Sequence, residues 1–240
     1  LPRGAGRVRV IEGDNVTKRF GWTAALRGVS FAVAPGERVA LLGHNGAGKS
    51  TLMKLVTGQL LPGGGSIRVG GFDVARTPEG ARQATGYVPE EPAMWGYLSA
   101  RETLEFVVSV RGRGDVDAAL ALTGLGDDAD RLLREYSQGM RRKVAIACAL
   151  VAEPPVLVLD EALNGLDPPS ALRIADHLAR LAENGTSILV STHVVDLVPR
   201  LASRVLVLRA GEVQLDGPTT EFDAARLAVA FSDPSPAAGS

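Results

Sequence analysis

Gly43-His44-Asn45-Gly46-Ala47-Gly48-Lys49-Ser50 has the residue types and spacing to cradle a chain of phosphates. It fits G-x-x-x-x-G-K-[ST]. Glycines let backbone N–H groups converge on phosphate oxygens that bulkier side chains would block. A helix opening near Lys49 adds its positive dipole end. Lys49 brings a point charge for the β- and γ-phosphates, and the Ser50 hydroxyl suits Mg²⁺. The context agrees, with an apolar strand ending at Leu42 and a helix-like run over Thr51 to Val56. His44 reads as a solvated loop residue with no catalytic role.

A second chemical signal is Val156-Leu157-Val158-Leu159-Asp160-Glu161, an apolar strand ending in two carboxylates. Such a strand is buried, so its acids emerge at the C-terminal edge, where ligands of α/β sheets bind. Adjacent strand residues point to opposite faces, so the two acids can divide the work. One can hold Mg²⁺, directly or through water, and the other can take a proton from an attacking water.

Elements able to position these groups follow from the pattern of the chain. Residues 7–88 read as strands, hairpins and one helix. Val29 to Val33 and Arg38 to Leu42 are strand-like runs split by Pro35-Gly36. Ile67, Val69, Phe72 and Val74 flank Gly70-Gly71, a two-residue hairpin signal. Residues 97–150 read as helical, with apolar runs over 104–110, 118–125 and 144–151. Residues 156–208 alternate strand and helix: strands at 156–159, 187–190 and 205–208, with helices near 169–183 and 195–202. That alternation predicts parallel strands with crossover helices, hence an α/β core interrupted by a helical insertion of about 50–60 residues. The ends, 1–6 and 232–240, read as flexible tails. Segment 223–231 reads as a short terminal helix of unassigned role.

Composition narrows the function. At 240 residues and 45% apolar, the chain can build one large domain with a real core. A net charge of −1 argues against a surface devoted to nucleic acid. A single cysteine, Cys148, rules out an intrachain disulfide framework and a cysteine zinc cluster. It reads as a small buried helix residue. The longest uncharged apolar stretch, Val144 to Ala152, is far short of the roughly 20 residues that span a bilayer. Leu1-Pro2-Arg3-Gly4 has no apolar core of the signal-peptide kind. Any membrane role is therefore expected to run through a partner.

Four more segments occur in a fixed order: Gly86-Tyr87-Val88-Pro89-Glu90, Tyr136-Ser137-Gln138-Gly139-Met140, Asn164-Gly165-Leu166-Asp167 and Ser191-Thr192-His193. With the phosphate loop and acidic strand, they resemble the ATP-binding cassette (ABC) ATPases, the nucleotide-binding subunits of ABC transporters. The resemblance covers about residues 8–222. It implies a P-loop NTPase core of ABC type with a mixed sheet, an antiparallel β subdomain and an inserted helical subdomain over about 91–151, all within a single domain over 7–231. It implies ATP and Mg²⁺ as ligands, with ATP held by Gly43, Asn45, Gly46, Ala47, Gly48, Lys49, Ser50 and Thr51. Asp160 is the implied Mg²⁺-associated carboxylate, Glu161 the general base and His193 the γ-phosphate contact. Lys49 counts with them as catalytic. Phe20 would stack on adenine, with Trp22 as its rival. Ser137 and the Gly139 N–H would cap the ATP held by a second copy of the chain or a homologous cassette. The loop Gly165-Leu166-Asp167 would cross that dimer interface. The implied setting is the cytoplasmic face of a membrane, docked on a polytopic permease, with no nucleic-acid partner.

Two departures stand out. Glu90 occupies a position where the family usually has Gln, and a carboxylate there can also ligate Mg²⁺. The signature reads Tyr-Ser-Gln-Gly-Met rather than the commoner Leu-Ser-Gly-Gly-Gln, with Ser137 and Gly139 kept. With Glu90-Glu91-Pro92, this variant resembles cassettes of two-component exporters. Arg141-Arg142-Lys143 reads as a solvated helix face. The alternatives are a soluble ABC ATPase without a transport role, and a nucleotide-dependent regulator. The short insertion without sustained heptads, the single set of motifs, and the presence of Glu161 and His193 argue against them.

Overall fold

The computed structural model describes residues 9–193 and 195–222. The expected tails and the segment 223–231 lie outside the described residues. Two sheets form. The first is antiparallel and contains β1 (Ile11–Phe20), β2 (Thr23–Val33), β4 (Gly64–Val69) and β5 (Phe72–Asp73), in the order β2-β1-β4-β5. The second has six strands: β3 (Arg38–Leu42), β6 (Thr85–Val88), β7 (Val156–Asp160), β8 (Ser187–Ser191), β9 (Arg204–Arg209) and β10 (Glu212–Pro218). Its order is β10-β9-β3-β8-β7-β6, parallel except for the antiparallel edge pair β9/β10.

The continuous apolar runs explain the second sheet. Every residue of β7 and of β8 is buried, as expected of strands covered on both faces. Alternation then sorts their side chains. Leu157, Leu159, Ile188, Val190, Val205 and Val207 share one cluster, while Val156, Val158, Leu189, Leu206 and Leu208 share another. The second cluster is completed by Ile11, Val16, Val29 and Ile67 from the antiparallel sheet and by Leu52, Met53, Leu55 and Val56 from helix α1 (Lys49–Val56). The first is completed by α6 (Pro168–Glu183) and the short α7 (Val198–Leu201), on which Ile174, Leu178 and Leu201 are buried.

Pro35-Gly36 therefore joins two sheets and makes no hairpin between β2 and β3. Arg204 fastens the junction. Its guanidinium donates to both Asp216 oxygens at 2.6 and 2.7 Å, and to Glu37 and the Ala32 carbonyl. Residues 7–88 hold a second helix that the sequence pattern had not indicated, α2 (Pro78–Gln83), with its proline at the first turn. The expected helix at 195–202 is a 3₁₀ turn, Val195–Leu197, followed by α7.

Between β6 and β7 the chain forms α3 (Ala100–Arg111), α4 (Val116–Thr123) and α5 (Gln138–Leu150). Each opens on a side-chain cap, from Ser99, Asp115 and Ser137. Leu104, Leu120, Leu133, Tyr136 and Val144 form their own small core. Helix α5 belongs to two cores: Val144 and Ala147 face the helical one, while Ala145, Ile146, Ala149 and Leu150 face the main one. Among the described residues, no helix is long and apolar enough to cross a membrane.

Candidate nucleotide site

The loop between β3 and α1 takes its shape from its glycines. Gly43, Gly46 and Gly48 have φ of 148, 81 and 109°, a region that L side chains rarely adopt. A Cβ on Gly43 would lie 2.3 Å from the Leu208 carbonyl, and one on Gly48 would lie 2.7 Å from the Ala25 carbonyl. The turn is closed by Lys49, whose Nζ donates to the Gly43 carbonyl at 2.7 Å and the His44 carbonyl at 3.2 Å. Beside the loop lies a cavity of about 480 Å³. Asn45, Gly46, Gly48, Lys49, Ser50 and Thr51 line it, together with Thr23, Ala24, Ala25, Glu90 and Glu161. The phosphate-loop residues, Glu90 and Glu161 thus meet at one cavity.

Asp160 and Glu161 part company more sharply than strand alternation predicts. Strand β7 ends at Asp160, and Glu161 turns into the left-handed region at φ 52°. For a residue with a Cβ, that conformation costs on the order of 1–2 kcal/mol. Ser191 holds the turn. It is the register partner of Asp160 on β8. Its hydroxyl donates to Asp160 Oδ1 at 2.7 Å and accepts the Glu161 N–H at 2.9 Å, which also reaches the Ser191 carbonyl at 3.2 Å. Asp160 stays buried at 1% exposure and is not among the residues lining the cavity, whereas Glu161 is.

His193 follows β8 and is largely exposed, with Nδ1 2.9 Å from Glu161 Oε2. Asn164 donates from Nδ2 to the same Oε2 and lies 3.2 Å from the His193 Nδ1.

Phe20 ends β1, half-exposed, with Lys18 Nζ 5.5 Å from its ring centroid. Its register partner Thr23 lines the cavity, but Phe20 itself does not. Trp22 is 97% exposed. Ser137 caps α5 by accepting the Met140 N–H at 3.2 Å. Neither Ser137 nor Gly139 lines the cavity, so one chain does not bring its signature to its own nucleotide site.

The solvated-face expectation for Arg141-Arg142-Lys143 does not hold. Arg141 donates to the Leu133 and Arg134 carbonyls, Arg142 to the Asn164 and Glu90 carbonyls, and Lys143 pairs with Asp167 at 3.0 Å. The Arg141 partners lie in a 3₁₀ turn just before the helix, while Asn164, Glu90 and Asp167 lie in loops far along the chain, so residue spacing gave no sign of the latter. Hydrogen bonds from Ser170 and Lys143 hold the Asp167 carboxyl well below the ordinary carboxylate range. Burial pushes the half-buried Cys148 thiol up to about 12, consistent with a packing residue rather than a nucleophile.

Among the described residues, no cluster of three or more His, Cys, Asp or Glu side chains could hold a metal by itself. Ser50 and Glu90 on the cavity wall give only a sparse oxygen set, and Asp160 is buried off the wall. This suits an ion that keeps waters and takes phosphate oxygens, as Mg²⁺ does. Two carboxylates on the wall, Glu90 and Glu161, also repel a bare triphosphate. Glu90→Gln is therefore expected to retain ATPase activity but to shift its Mg²⁺ dependence, with metal-free ATP binding improved. Paired Mg²⁺ titrations of turnover check this, and superimposable curves would refute it.

The fold and cavity define an α/β P-loop nucleotide-hydrolysing protein. The model of the ABC transporter family matches residues 26–164, and the chain belongs to that family. Relatives agree. The chain is 34% identical over 208 residues to the bacitracin transport ATP-binding protein BcrA of Enterococcus faecalis, covering 85% of this chain and 68% of that protein. It is 36% identical over 220 residues to the daunorubicin/doxorubicin resistance ATP-binding protein DrrA of Streptomyces peucetius, covering 89% and 67%. It also spans 40% of the length of a putative ABC transporter ATP-binding protein of Streptomyces avermitilis, at 39% identity over 229 residues and 92% of this chain. A solved ATP-binding subunit of an ABC transporter superposes with a TM-score of 0.85 at 29% identity, covering 92% of this chain and 98% of that one. A dimeric cassette in a post-hydrolysis state with ADP and Pi superposes at 0.80 and 25% identity, covering 87% and 98%. The chain is an ATP-binding ATPase.

Proposed function

We propose that this ATPase powers a separate polytopic membrane permease, as an exporter subunit on the cytoplasmic face, through ATP-driven pairing with a second copy or a homologous cassette. The observation that carries the proposal is the split site: phosphate loop, Glu90 and Glu161 meet at one cavity, while Ser137 and Gly139 lie outside it. A second cassette would supply the missing cap, with the α5 N-terminus aimed at phosphate. The export direction is supported by the relatives that serve bacitracin transport and daunorubicin/doxorubicin resistance.

Lys49 and the loop N–H groups would hold the β- and γ-phosphates. Glu161 would accept a proton from a water attacking the γ-phosphorus in line, as the bond to the bridging oxygen breaks and ADP departs. His193, beside Glu161, would donate to a γ-phosphate oxygen. Ser50, Asp160 and Glu90 would hold Mg²⁺, which supplies charge neutralisation on the phosphates. Loss of the γ-phosphate removes the bridge between the two cassettes, and the pair opens. The helical insertion, which exposes Trp95, Tyr97, Phe106 and Val110, offers the permease an apolar surface. The pairing is tested by the mass of Glu161→Gln in solution with Mg²⁺ and ATP. We expect a dimer that reverts to monomer in ADP. A chain that stays monomeric with ATP, alone and with its homologous cassette, would refute the pairing.

A further inference from the structure

We propose that Asn164 is a positioning residue for Glu161, and that Arg142 on the signature helix sets Asn164. The helical subdomain then acts on the base of its own subunit. The inference rests on Glu161 being the general base.

The geometry is a chain of contacts. Glu161 is fixed at its backbone by Ser191. Its far end is held by the Asn164 amide, which donates to Oε2. The amide must present nitrogen there, because its oxygen would face a carboxylate lone pair to lone pair. The same Oε2 lies 2.9 Å from His193 Nδ1, so Asn164 and His193 converge on one carboxylate oxygen. Glu161 lines the nucleotide cavity, and the oxygen not held by the amide is the one available to a water. A general base works only within hydrogen-bond reach of its proton, so a displaced carboxylate loses rate without losing ATP.

Asn164 is itself placed from two sides. Its N–H donates to the Glu161 carbonyl at 3.1 Å. Its carbonyl accepts from Arg142 Nη1, while Arg142 Nη2 donates to the Glu90 carbonyl at 2.6 Å. One planar guanidinium thus pins the base-holding loop and the Glu90 loop to α5. Lys143–Asp167 at 3.0 Å is a second tie between that helix and that loop. Close packing accompanies them, since a Cβ on Gly139 would sit 3.5 Å from the Gly165 carbonyl. Because α5 is shared by the helical and main cores, a shift of the helical subdomain bears directly on Asn164.

The test is single-turnover ATP cleavage and ATP affinity in the full chain, for Asn164→Ala, Asn164→Ser and Arg142→Lys, each with Glu161 intact and with Glu161→Gln. We expect Asn164→Ala to cleave about 10–100-fold more slowly with ATP affinity unchanged. Asn164→Ser, which keeps a shorter donor, and Arg142→Lys, which keeps charge without the fork, should lose less. Neither Asn164 variant should slow the Glu161→Gln chain further, because each acts through Glu161. Unchanged cleavage in Asn164→Ala, a parallel loss of ATP affinity, or Asn164 losses that multiply in the Glu161→Gln background would overturn the proposal while the ATPase assignment stands. Full turnover by Glu161→Gln alone would overturn the base assignment, and this proposal with it.

Discussion

Glu161→Gln is expected to lower ATP turnover by about 10²–10⁴-fold while leaving ATP affinity nearly unchanged. The replacement keeps shape and a hydrogen-bond acceptor for the Asn164 amide but cannot take a proton. The proposed phosphate contacts of Lys49 and the loop N–H groups would not depend on it, since Lys49 is placed by the loop carbonyls and not by Glu161. The left-handed turn at Glu161 is also preserved, being held by Ser191 through the backbone. Phosphate release measured beside equilibrium nucleotide binding checks both halves. Normal turnover would refute the role of Glu161.

Lys49→Ala is expected to show the complementary pattern, with ATP binding weakened by about 10–100-fold, the worth of a charge-assisted hydrogen bond in a sheltered site. Lys49 is only 8% exposed and is bracketed by the Gly43 and His44 carbonyls, so the charge sits inside the loop that would hold the phosphates. Arg in its place should not restore binding, because a guanidinium is too broad for that bracket. Calorimetric titration with ATP checks this. Unaltered affinity would place the phosphates elsewhere.

How much of this was legible in the sequence depends on where each contact closes. The phosphate loop is local: its glycines, lysine and serine lie within one turn, and the strand and helix that flank it are written beside it. The strands β7, β8 and β9 announce themselves by burial on both faces. Asp160 and Glu161 were visible as a pair pointing to opposite faces, but the left-handed turn at Glu161 was not, because it is held by Ser191, which reaches them only through the parallel β7/β8 register. Asn164 and Arg142 were equally hidden. Asn164 reaches Glu161 only because the chain turns back between them, and Arg142 pairs with backbone carbonyls in other loops, which nothing in residue type marks as partners. Arg141-Arg142-Lys143 looks like a solvated face for that reason. The division of β2 and β3 between two sheets is likewise a matter of pairing, not of the strands themselves.

The most direct test is purification of the tagged chain from detergent-solubilised native membranes with ATP present, followed by identification of what accompanies it. We expect a polytopic membrane protein in stoichiometric amount. Reproducible recovery with soluble partners only, or with none, would contradict a transport role and leave an ATPase that acts elsewhere.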